Sequence, residues 1–296
     1  MPILQKVKKR DGSIVDFDSS RIQKAVEKAA ISTNRHDLSF VIPLTSEVVK
    51  ILEEKFLSME NTPKVEEIQD LVEQALMRHG FYEIAKAYIL YREQQAEKRH
   101  VELLDKMKKK ELMVQKRNGK SEPFLTKKLE TAISRAILGF EKIIDVSEVA
   151  ETAKRDMYDG ITTAEIDKAV VMTMKARIEK EPAYSFATAQ VFLNSVYKEV
   201  FGKEWKEKNF TKTYQEMFVK NLELGVKHER MAKELLDFDL EQIVSFIDPS
   251  RDRLFTYLGI QTLYDRYFIH VDDRLIEAPQ SFWMRVAMGL ARNEEH

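Results

Sequence analysis

Apolar residues recur every three to four positions along most of the chain, the spacing that predicts amphipathic helices. In the first two thirds of the chain the predicted helices are Arg21–Ala30, Thr45–Met59, Lys64–His79, Phe81–Lys98, Lys127–Leu138, Val146–Met157, Thr163–Lys180 and Ala183–Val200. Gly80, Gly160 and Pro182 fall at breaks between helices, where these residue types commonly occur. The pattern therefore predicts a mostly α-helical fold of the α+β class.

Two segments of the chain match each other at a constant offset of 107 residues. The matching pairs are Val7 with Val114, Lys9 with Lys116, Arg10 with Arg117, Gly12 with Gly119, Phe17 with Phe124, Arg21 with Lys128, Ala25 with Ala132, and Ala29 with Ala136. A register kept over this length indicates an internal repeat. Each repeat is predicted to open with a hairpin, because Asp11-Gly12 and Asn118-Gly119 favour two-residue turns with positive φ. Asp18–Ser20 and Thr126 are predicted caps of the helices that follow.

The region from about Gly202 to His296 lacks the repeat. Its predicted elements are helices at Lys212–Lys220, Met231–Leu235, Phe255–Tyr267 and Ser281–Arg292, and a hairpin at Ile269–Ala278 that turns at Asp272-Asp273. The last helix has an apolar face, and no later sequence could cover it. We therefore expect a truncated chain or one product of a split gene.

Composition excludes several kinds of chemistry. The chain has no cysteine, which rules out disulfides, thiolate metal sites and thiyl-radical chemistry. The 48 basic and 49 acidic residues nearly balance, so we expect no nucleic-acid partner. No apolar run reaches the roughly 20 residues of a membrane span, and the N-terminus lacks a secretory signal, so we expect a cytoplasmic protein. The six histidines have no metal-ligand spacing.

Lys9, Arg10 and Arg21 form the candidate anion site, since a hairpin and the next helix could bring their three charges together. No glycine-rich phosphate loop is present, so any phosphate must be bound by side chains. The alternative is that these cations are solvated surface charges. Solvated charge is also the interpretation of Glu66-Glu67, Asp272-Asp273 and the linker run Lys106–Lys110. The C-terminal aromatic residues are interpreted as core: Phe246, Phe255, Tyr257, Tyr264, Tyr267, Phe268, Phe282 and Trp283.

Both repeats resemble the ATP-cone, a four-helix bundle capped by a small β-hairpin or three-stranded lid. VKKRDGSIVDFDSSRIQKAVEKA, VEEIQDLVEQALM and AKAYILYRE carry the resemblance in the first repeat, and VQKRNGKSEPFLTKKLETAI, DGITTAEIDKAV and FATAQVFLNSVYKEVFG carry it in the second. The segment that starts at RDRLFTYLGIQTLYDRYF resembles the helices leading into the ten-stranded catalytic barrel of class I ribonucleotide reductase large subunits. The implied domains are a first cone at 1–102, a second at 103–202 and a helical segment at 203–296, truncated before the barrel.

The resemblance implies an overall-activity site, at which ATP activates and dATP inhibits deoxyribonucleotide synthesis through a change of oligomeric state, with Mg²⁺ accompanying the nucleotide. It implies as partners the remainder of the large subunit, a radical-generating small subunit and self-association through the cones. The implied nucleotide-binding residues of the first cone are Val7, Lys9, Arg10, Asp18, Arg21, Gln69 and Arg92. Those of the second are Val114, Lys116, Arg117, Glu122, Lys128 and Thr163.

The second cone departs from the pattern at two positions, where Leu125 replaces Asp18 and Asn194 replaces Arg92. Leu125 cannot hydrogen-bond a ribose and Asn194 offers phosphate no charge, so weaker binding is expected there. Without the family's catalytic cysteines, the chain is expected to be inactive in ribonucleotide reduction by itself. Two alternatives stay open, a nucleotide-sensing ATP-cone transcriptional repressor and half of a split reductase gene.

Overall fold

A computed structural model describes residues 4–10, 13–56, 62–202 and 209–291. These residues are mostly helical and contain three small sheets. It divides into two compact units. Unit 1 contains residues 1–115, 121–124 and 158–161, and unit 2 contains residues 116–120, 125–157 and 162–296.

Unit 1 contains a bundle of four helices, as the sequence predicts. These are α1 (Ser20–Ser32), α2 (Val41–Phe56), α3 (Val65–Arg78) and α4 (Tyr82–Lys108). Helix α1 packs against α2 and α4, and α3 packs against α2 and α4. Their apolar faces form one core that includes Val26, Val48, Leu52, Val72 and Leu76. The end predicted for α2 at Met59 lies outside the described residues.

Helix α4 continues to Lys108, ten residues beyond its predicted end at Lys98. The Lys106–Lys110 run therefore begins as helix, as expected for a linker helix. Lys109 lies just past the helix end, and its Nζ atom is 2.7 Å from Oδ2 of Asp105. Charged residues predominate in this segment, so the spacing of its few apolar residues gives only a weak signal of a helix.

A two-stranded antiparallel sheet covers the first bundle. Strands β1 (Lys6–Lys8) and β2 (Ile14–Asp16) pair with Val7 opposite Val15. The backbone N–H of Lys8 also donates to the carbonyl of Pro63 at 2.9 Å, and Lys8 forms a parallel bridge to Lys64. The hairpin is thereby tied to the residues that start α3. Its predicted turn at Asp11-Gly12 lies outside the described residues.

The second hairpin belongs to a three-stranded sheet. Strands β3 (Met113–Gln115), β4 (Ser121–Pro123) and β5 (Ile161–Thr162) lie in the order β4-β3-β5. The predicted two-residue turn at Asn118-Gly119 is wrong. Lys116 donates to the carbonyl of Lys120, Gly119 donates to the carbonyl of Lys116, and only Gly119 has positive φ in this loop. These bonds define a three-residue loop that ends on a left-handed glycine, a common hairpin alternative.

Unit 2 begins with a second bundle in the predicted order. Its helices are α5 (Thr126–Ala136), α6 (Val146–Lys154), α7 (Thr163–Lys175) and α8 (Ala183–Phe201). Helix α5 packs against α6 and α8, and α7 packs against α6 and α8. Thr126 is not the predicted cap. It is the first residue of α5, and Leu125 occupies the cap position without a side-chain hydrogen bond.

Four further α-helices lie in the described part of the C-terminal region of unit 2. They are α9 (Phe210–Lys227), α10 (Leu240–Ser245), α11 (Tyr257–Arg266) and α12 (Pro279–Ala291). The helix predicted at Met231–Leu235 is a 3-10 turn at Lys233–Asp237. Strands β6 (His270–Val271) and β7 (Arg274–Leu275) form the predicted hairpin, and Asp272 and Asp273 both have positive φ. Arg292 and His296 lie outside the described residues.

One apolar core joins α8, α9, α11 and α12. Tyr257, Phe268 and Phe282 are buried as expected, but Phe246, Tyr267 and Trp283 are half exposed or more, so their assignment to the core is wrong. Two carboxylates, Asp252 and Glu277, lie inside this region. Among the described residues, no helix is long and apolar enough to span a bilayer.

Candidate functional site

Arg10 follows β1 and reaches the first turns of α3. Its Nε atom lies 2.6 Å from Oε1 of Glu66, and its Nη2 atom donates to Oε1 of Gln69 at 3.0 Å. The hairpin brings Arg10 to this place because β1 is bonded to Pro63, just before the helix. The predicted phosphate ligand Arg10 and the predicted ligand Gln69 are therefore in direct contact.

Arg92 lies on α4 and faces the same helix α3. Its Nη1 atom is 2.7 Å from Oδ1 of Asp70 and 2.7 Å from Oε1 of Glu73. Glu66, Gln69, Asp70 and Glu73 are spaced by three or four residues, which places them on one face of α3. Both predicted cations thus meet the same helix face.

Tyr88, buried on α4, is influenced by both cation groups. Burial raises the pKa of Tyr88 to about 12, and the negative charges of Glu73 and Asp70 add to the rise. The positive charges of Arg92 and Arg10 oppose the rise, so both guanidinium groups act on the Tyr88 hydroxyl. The two arginines, more than 80 residues apart in the chain, therefore belong to one electrostatic cluster. We call it the Arg10 cluster, and its other members are Glu66, Gln69, Asp70, Glu73 and Tyr88.

Arg99, seven residues after Arg92 on α4, adds a third cation to this cluster. Burial lowers the pKa of Arg99, and the charge of Arg10 lowers it further, while Glu66 opposes the shift. Cations that repel each other are stabilised when an anion binds between them. An anionic ligand at this place would therefore meet positive charge from both Arg10, which follows β1, and α4.

Val7 and Lys9 flank the cluster on the hairpin. Val7 is buried on β1 opposite Val15, so it contributes to the core under the hairpin. Lys9 is exposed, and its backbone N–H donates to the carbonyl of Ser13 at 2.8 Å. The Lys9 side chain can therefore move toward a ligand without leaving a buried position.

Asp18 and Arg21 form a separate pair at the start of α1. Oδ1 of Asp18 accepts from the backbone N–H of Ser20 at 3.0 Å, and Oδ2 lies 3.8 Å from Nε of Arg21. The hydrogen bonds from Ser20 lower the pKa of Asp18. Arg21 is 73% exposed. Among the described residues, no hydrogen bond or ion pair joins this pair to the Arg10 cluster.

The structure thus brings Arg10, Gln69 and Arg92 together and leaves Asp18 and Arg21 apart from them. The three carboxylates that partner the arginines were not predicted from the sequence, and the interpretation of Glu66-Glu67 as solvated charge is wrong. Glu66 pairs with Arg10, and Oε2 of Glu67 accepts from the backbone N–H of Lys64 at 2.8 Å at the start of α3. The available signal was the i, i+4, i+7 spacing of Glu66, Asp70 and Glu73.

The predicted residues of the second repeat lie in both units. In unit 1, Val114 on β3 is opposite Glu122 on β4. In unit 2, Lys116 and Arg117 lie in the hairpin loop, Lys128 lies in the first turn of α5, and Thr163 is the first residue of α7. The Nη2 atom of Arg117 is 3.7 Å from Oδ2 of Asp167, and Nζ of Lys198 is 2.9 Å from the same oxygen. Asp167 was not among the predicted residues.

The side chains of the Arg10 cluster fit a triphosphate better than a bare metal ion. Guanidinium groups bind phosphate oxygens through paired, charge-assisted hydrogen bonds. Among the described residues, no group of three or more histidine, aspartate or glutamate side chains is arranged to hold a metal ion.

Two family models match the chain. The ATP cone domain matches residues 5–97 and again residues 112–199. The all-alpha domain of ribonucleotide reductase matches residues 253–296. The first match covers all of the Arg10 cluster except Arg99, and both matches agree with the resemblance drawn from the sequence.

Curated relatives agree with these matches. The chain is 36% identical over 300 residues to ribonucleoside-diphosphate reductase subunit alpha of Chlamydia muridarum, covering 97% of this chain and 29% of the relative. It is 36% identical over 189 residues to the same subunit of Helicobacter pylori, covering 62% and 22%. It is 25% identical over 184 residues to the large subunit of Danio rerio, covering 60% and 22%. The chain therefore spans less than a third of the length of these relatives.

The chain belongs to the ATP-cone domain family, with two cones in tandem followed by residues that match the ribonucleotide reductase all-alpha domain. It corresponds to the N-terminal region of ribonucleoside-diphosphate reductase alpha subunits. These matches support a nucleotide-binding regulatory region of the reductase.

Proposed function

We propose that this chain is the overall-activity region of a ribonucleoside-diphosphate reductase alpha subunit and that its first cone binds ATP and dATP. The observation that carries the proposal is the placement of Arg10 and Arg92 against one face of α3, with Gln69 between their partners. Their guanidinium groups would bind the phosphates. Lys9, which is exposed and directly follows β1, would add a further cation.

The remaining predicted residues have supporting roles in this proposal. Val7 would form the apolar floor against the base, since its side chain belongs to the core under the hairpin. Asp18 and Arg21 would contact the ribose and phosphates from the start of α1. That contact requires Arg21 to swing toward the ligand, which its exposure permits. The nucleotide would carry Mg²⁺, which offsets the repulsion between phosphates and the α3 carboxylates.

ATP and dATP differ by one ribose hydroxyl. For regulation, the proposed site must sense that hydroxyl and favour one assembly with ATP bound and another with dATP bound. In this population shift, ATP would favour the active assembly and dATP an inhibited one, through self-association of the cones. The remainder of the alpha subunit would supply the catalytic cysteines, and the small subunit would supply the radical. For the second cone we propose weaker binding at Lys116 and Arg117.

Titration calorimetry of this chain with ATP and dATP, together with size-exclusion chromatography and light scattering, tests the proposal. Lys9→Ala with Arg10→Ala should remove most binding of both nucleotides, because each charge-assisted phosphate contact contributes about 1.5–3 kcal/mol. Lys50→Ala with Lys55→Ala removes the same charge from α2 and should leave binding unchanged. Unchanged affinity in the Lys9 and Arg10 variant would refute the site.

A further inference from the structure

The third helix of each bundle starts with the same local structure. In α3, Oε2 of Glu67 accepts from the backbone N–H of Lys64 at 2.8 Å, and in α7, Oε2 of Glu165 accepts from that of Thr162 at 3.0 Å. Two residues beyond this glutamate stands Gln69 in the first cone and Asp167 in the second. The structural match aligns these two positions, which differ in charge.

Both positions contact the hairpin arginine of their own cone. Gln69 accepts from Arg10 at 3.0 Å, and Oδ2 of Asp167 lies 3.7 Å from Nη2 of Arg117. In the first cone a neutral amide thus meets the proposed phosphate ligand. In the second cone a carboxylate takes that place.

Three donor side chains lie close to the Oδ2 atom of Asp167. Nζ of Lys198 lies 2.9 Å away and Oγ of Ser195 lies 3.2 Å away, in addition to Arg117. Lys198 and Ser195 are one helical turn apart on α8, and Asp167 is only 17% exposed. Two cations and a hydroxyl around one anionic oxygen form the kind of donor set that a phosphate oxygen uses.

We propose that Asp167 is an internal anion that takes the place of phosphate in the second cone and suppresses nucleotide binding there. The proposal extends the proposed function, because it treats Arg117 as the counterpart of Arg10. A nucleotide entering this cone must displace Asp167 from Lys198 and Arg117 and leave a partly buried carboxylate without its partners. That displacement opposes binding.

The first cone carries a competing carboxylate too, but at a different place. Glu66 is 40% exposed, so it can turn into water when a ligand takes Arg10. The residue before the capping glutamate in the second cone is Ala164, which has no charge. The carboxylate that pairs with the hairpin arginine is therefore the exposed Glu66 in the first cone and the largely buried Asp167 in the second.

The test uses the whole chain carrying Lys9→Ala and Arg10→Ala, so that binding at the first cone is removed. Calorimetry with ATP and with inorganic tripolyphosphate then compares Asp167→Asn with its parent. We expect a gain in affinity of about tenfold for both ligands, the effect of about one charge-assisted contact. Adding Arg117→Ala should abolish the gain. Glu148→Gln removes the same charge from the Arg177 pair and should produce no gain.

Two results would overturn the proposal. One is an unchanged affinity in Asp167→Asn when thermal unfolding shows that the variant is folded. The other needs no Asp167 variant: it is an affinity in the Lys9 and Arg10 parent as high as that of the wild type, lost on Lys116→Ala with Arg117→Ala. Asp167→Gln, which installs the first cone's residue type, serves if the asparagine variant does not fold. Failure of the proposed function is read separately, from wild-type affinity that the Lys9 and Arg10 changes do not lower.

Discussion

The Nε atom of Arg10 lies 2.6 Å from Oε1 of Glu66, so the central proposed phosphate ligand of the first cone already has an anionic partner. Both side chains are about 40% exposed. An ion pair with this exposure contributes at most about 1 kcal/mol. We therefore expect the pair to compete with nucleotide for Arg10 without preventing binding.

Glu66→Gln should raise the affinity of the first cone for ATP and dATP. The change frees Arg10 and removes a negative charge beside the phosphates, and the exposure of the pair limits the gain to about two- to fivefold. Calorimetry at low salt measures it. Glu54→Gln, on α2 beside Lys50, is the charge-matched control and should have no effect. A lower affinity in Glu66→Gln would mean that Glu66 contacts the nucleotide or its cation.

Arg92→Ala should weaken nucleotide binding more than Arg21→Ala does. Arg92 is held by Asp70 and Glu73, so it is already in position, and its loss leaves two carboxylates facing the phosphates. We expect about tenfold weaker binding for Arg92→Ala. Arg21, which is 73% exposed, must give up its freedom on binding, so we expect about threefold for Arg21→Ala. If calorimetry shows a larger loss of affinity for Arg21→Ala than for Arg92→Ala, the phosphates bind closer to α1 than proposed.

The repeat made the fold and part of the site predictable. The KR-x-G register placed Lys9 and Arg10 on one hairpin, and helical spacing placed Gln69 and Arg92 on neighbouring helices. The carboxylate partners were not predicted, because an acidic residue on an amphipathic helix usually faces water. Only the docking of β1 beside Pro63 shows that Glu66 faces Arg10.

Other errors have local physical causes. Asn-Gly is the dipeptide of two-residue turns, but the same Gly also closes a three-residue loop, and the flanking pairing decides between them. The aromatic residues Phe246 and Trp283 have helical spacing that fits a core, yet their exposure depends on which neighbours cover them. A linear pattern carries no information on that.

Lys116→Ala with Arg117→Ala should lower nucleotide binding by the whole chain less than the Lys9 and Arg10 changes do. Asn194 replaces the arginine of the first cone, and Arg117 lies near Asp167, so the second cone offers phosphate less free positive charge. Calorimetry should show at most about a twofold change in the summed affinity. A larger loss than in the first cone would reverse the proposed roles of the two cones.

The last prediction concerns Asp252, which is buried in the core of unit 2. Its Oδ2 atom accepts from the Tyr197 hydroxyl at 2.6 Å and its Oδ1 atom accepts from Nε2 of Gln280 at 2.8 Å. Tyr214 lies 3.4 Å from Oδ2. Burial raises the pKa of Asp252 from 3.8 to about 6, although these three hydrogen bonds lower it.

Because the pKa of Asp252 is higher in the folded protein, the folded state holds the proton more tightly, and this favours folding at low pH. The contribution is complete below about pH 4 and is lost as pH rises through about 6. Relative to Asp252→Asn, the wild type should lose about 2 kcal/mol of unfolding free energy between pH 4 and pH 7. Urea unfolding followed by circular dichroism measures the difference. Asp37→Asn is the control of opposite sign: Ser39 lowers the pKa of Asp37, so its contribution is lost as pH falls. A pH profile shared by the wild type and Asp252→Asn would show that Asp252 is ionised in the folded core throughout this range.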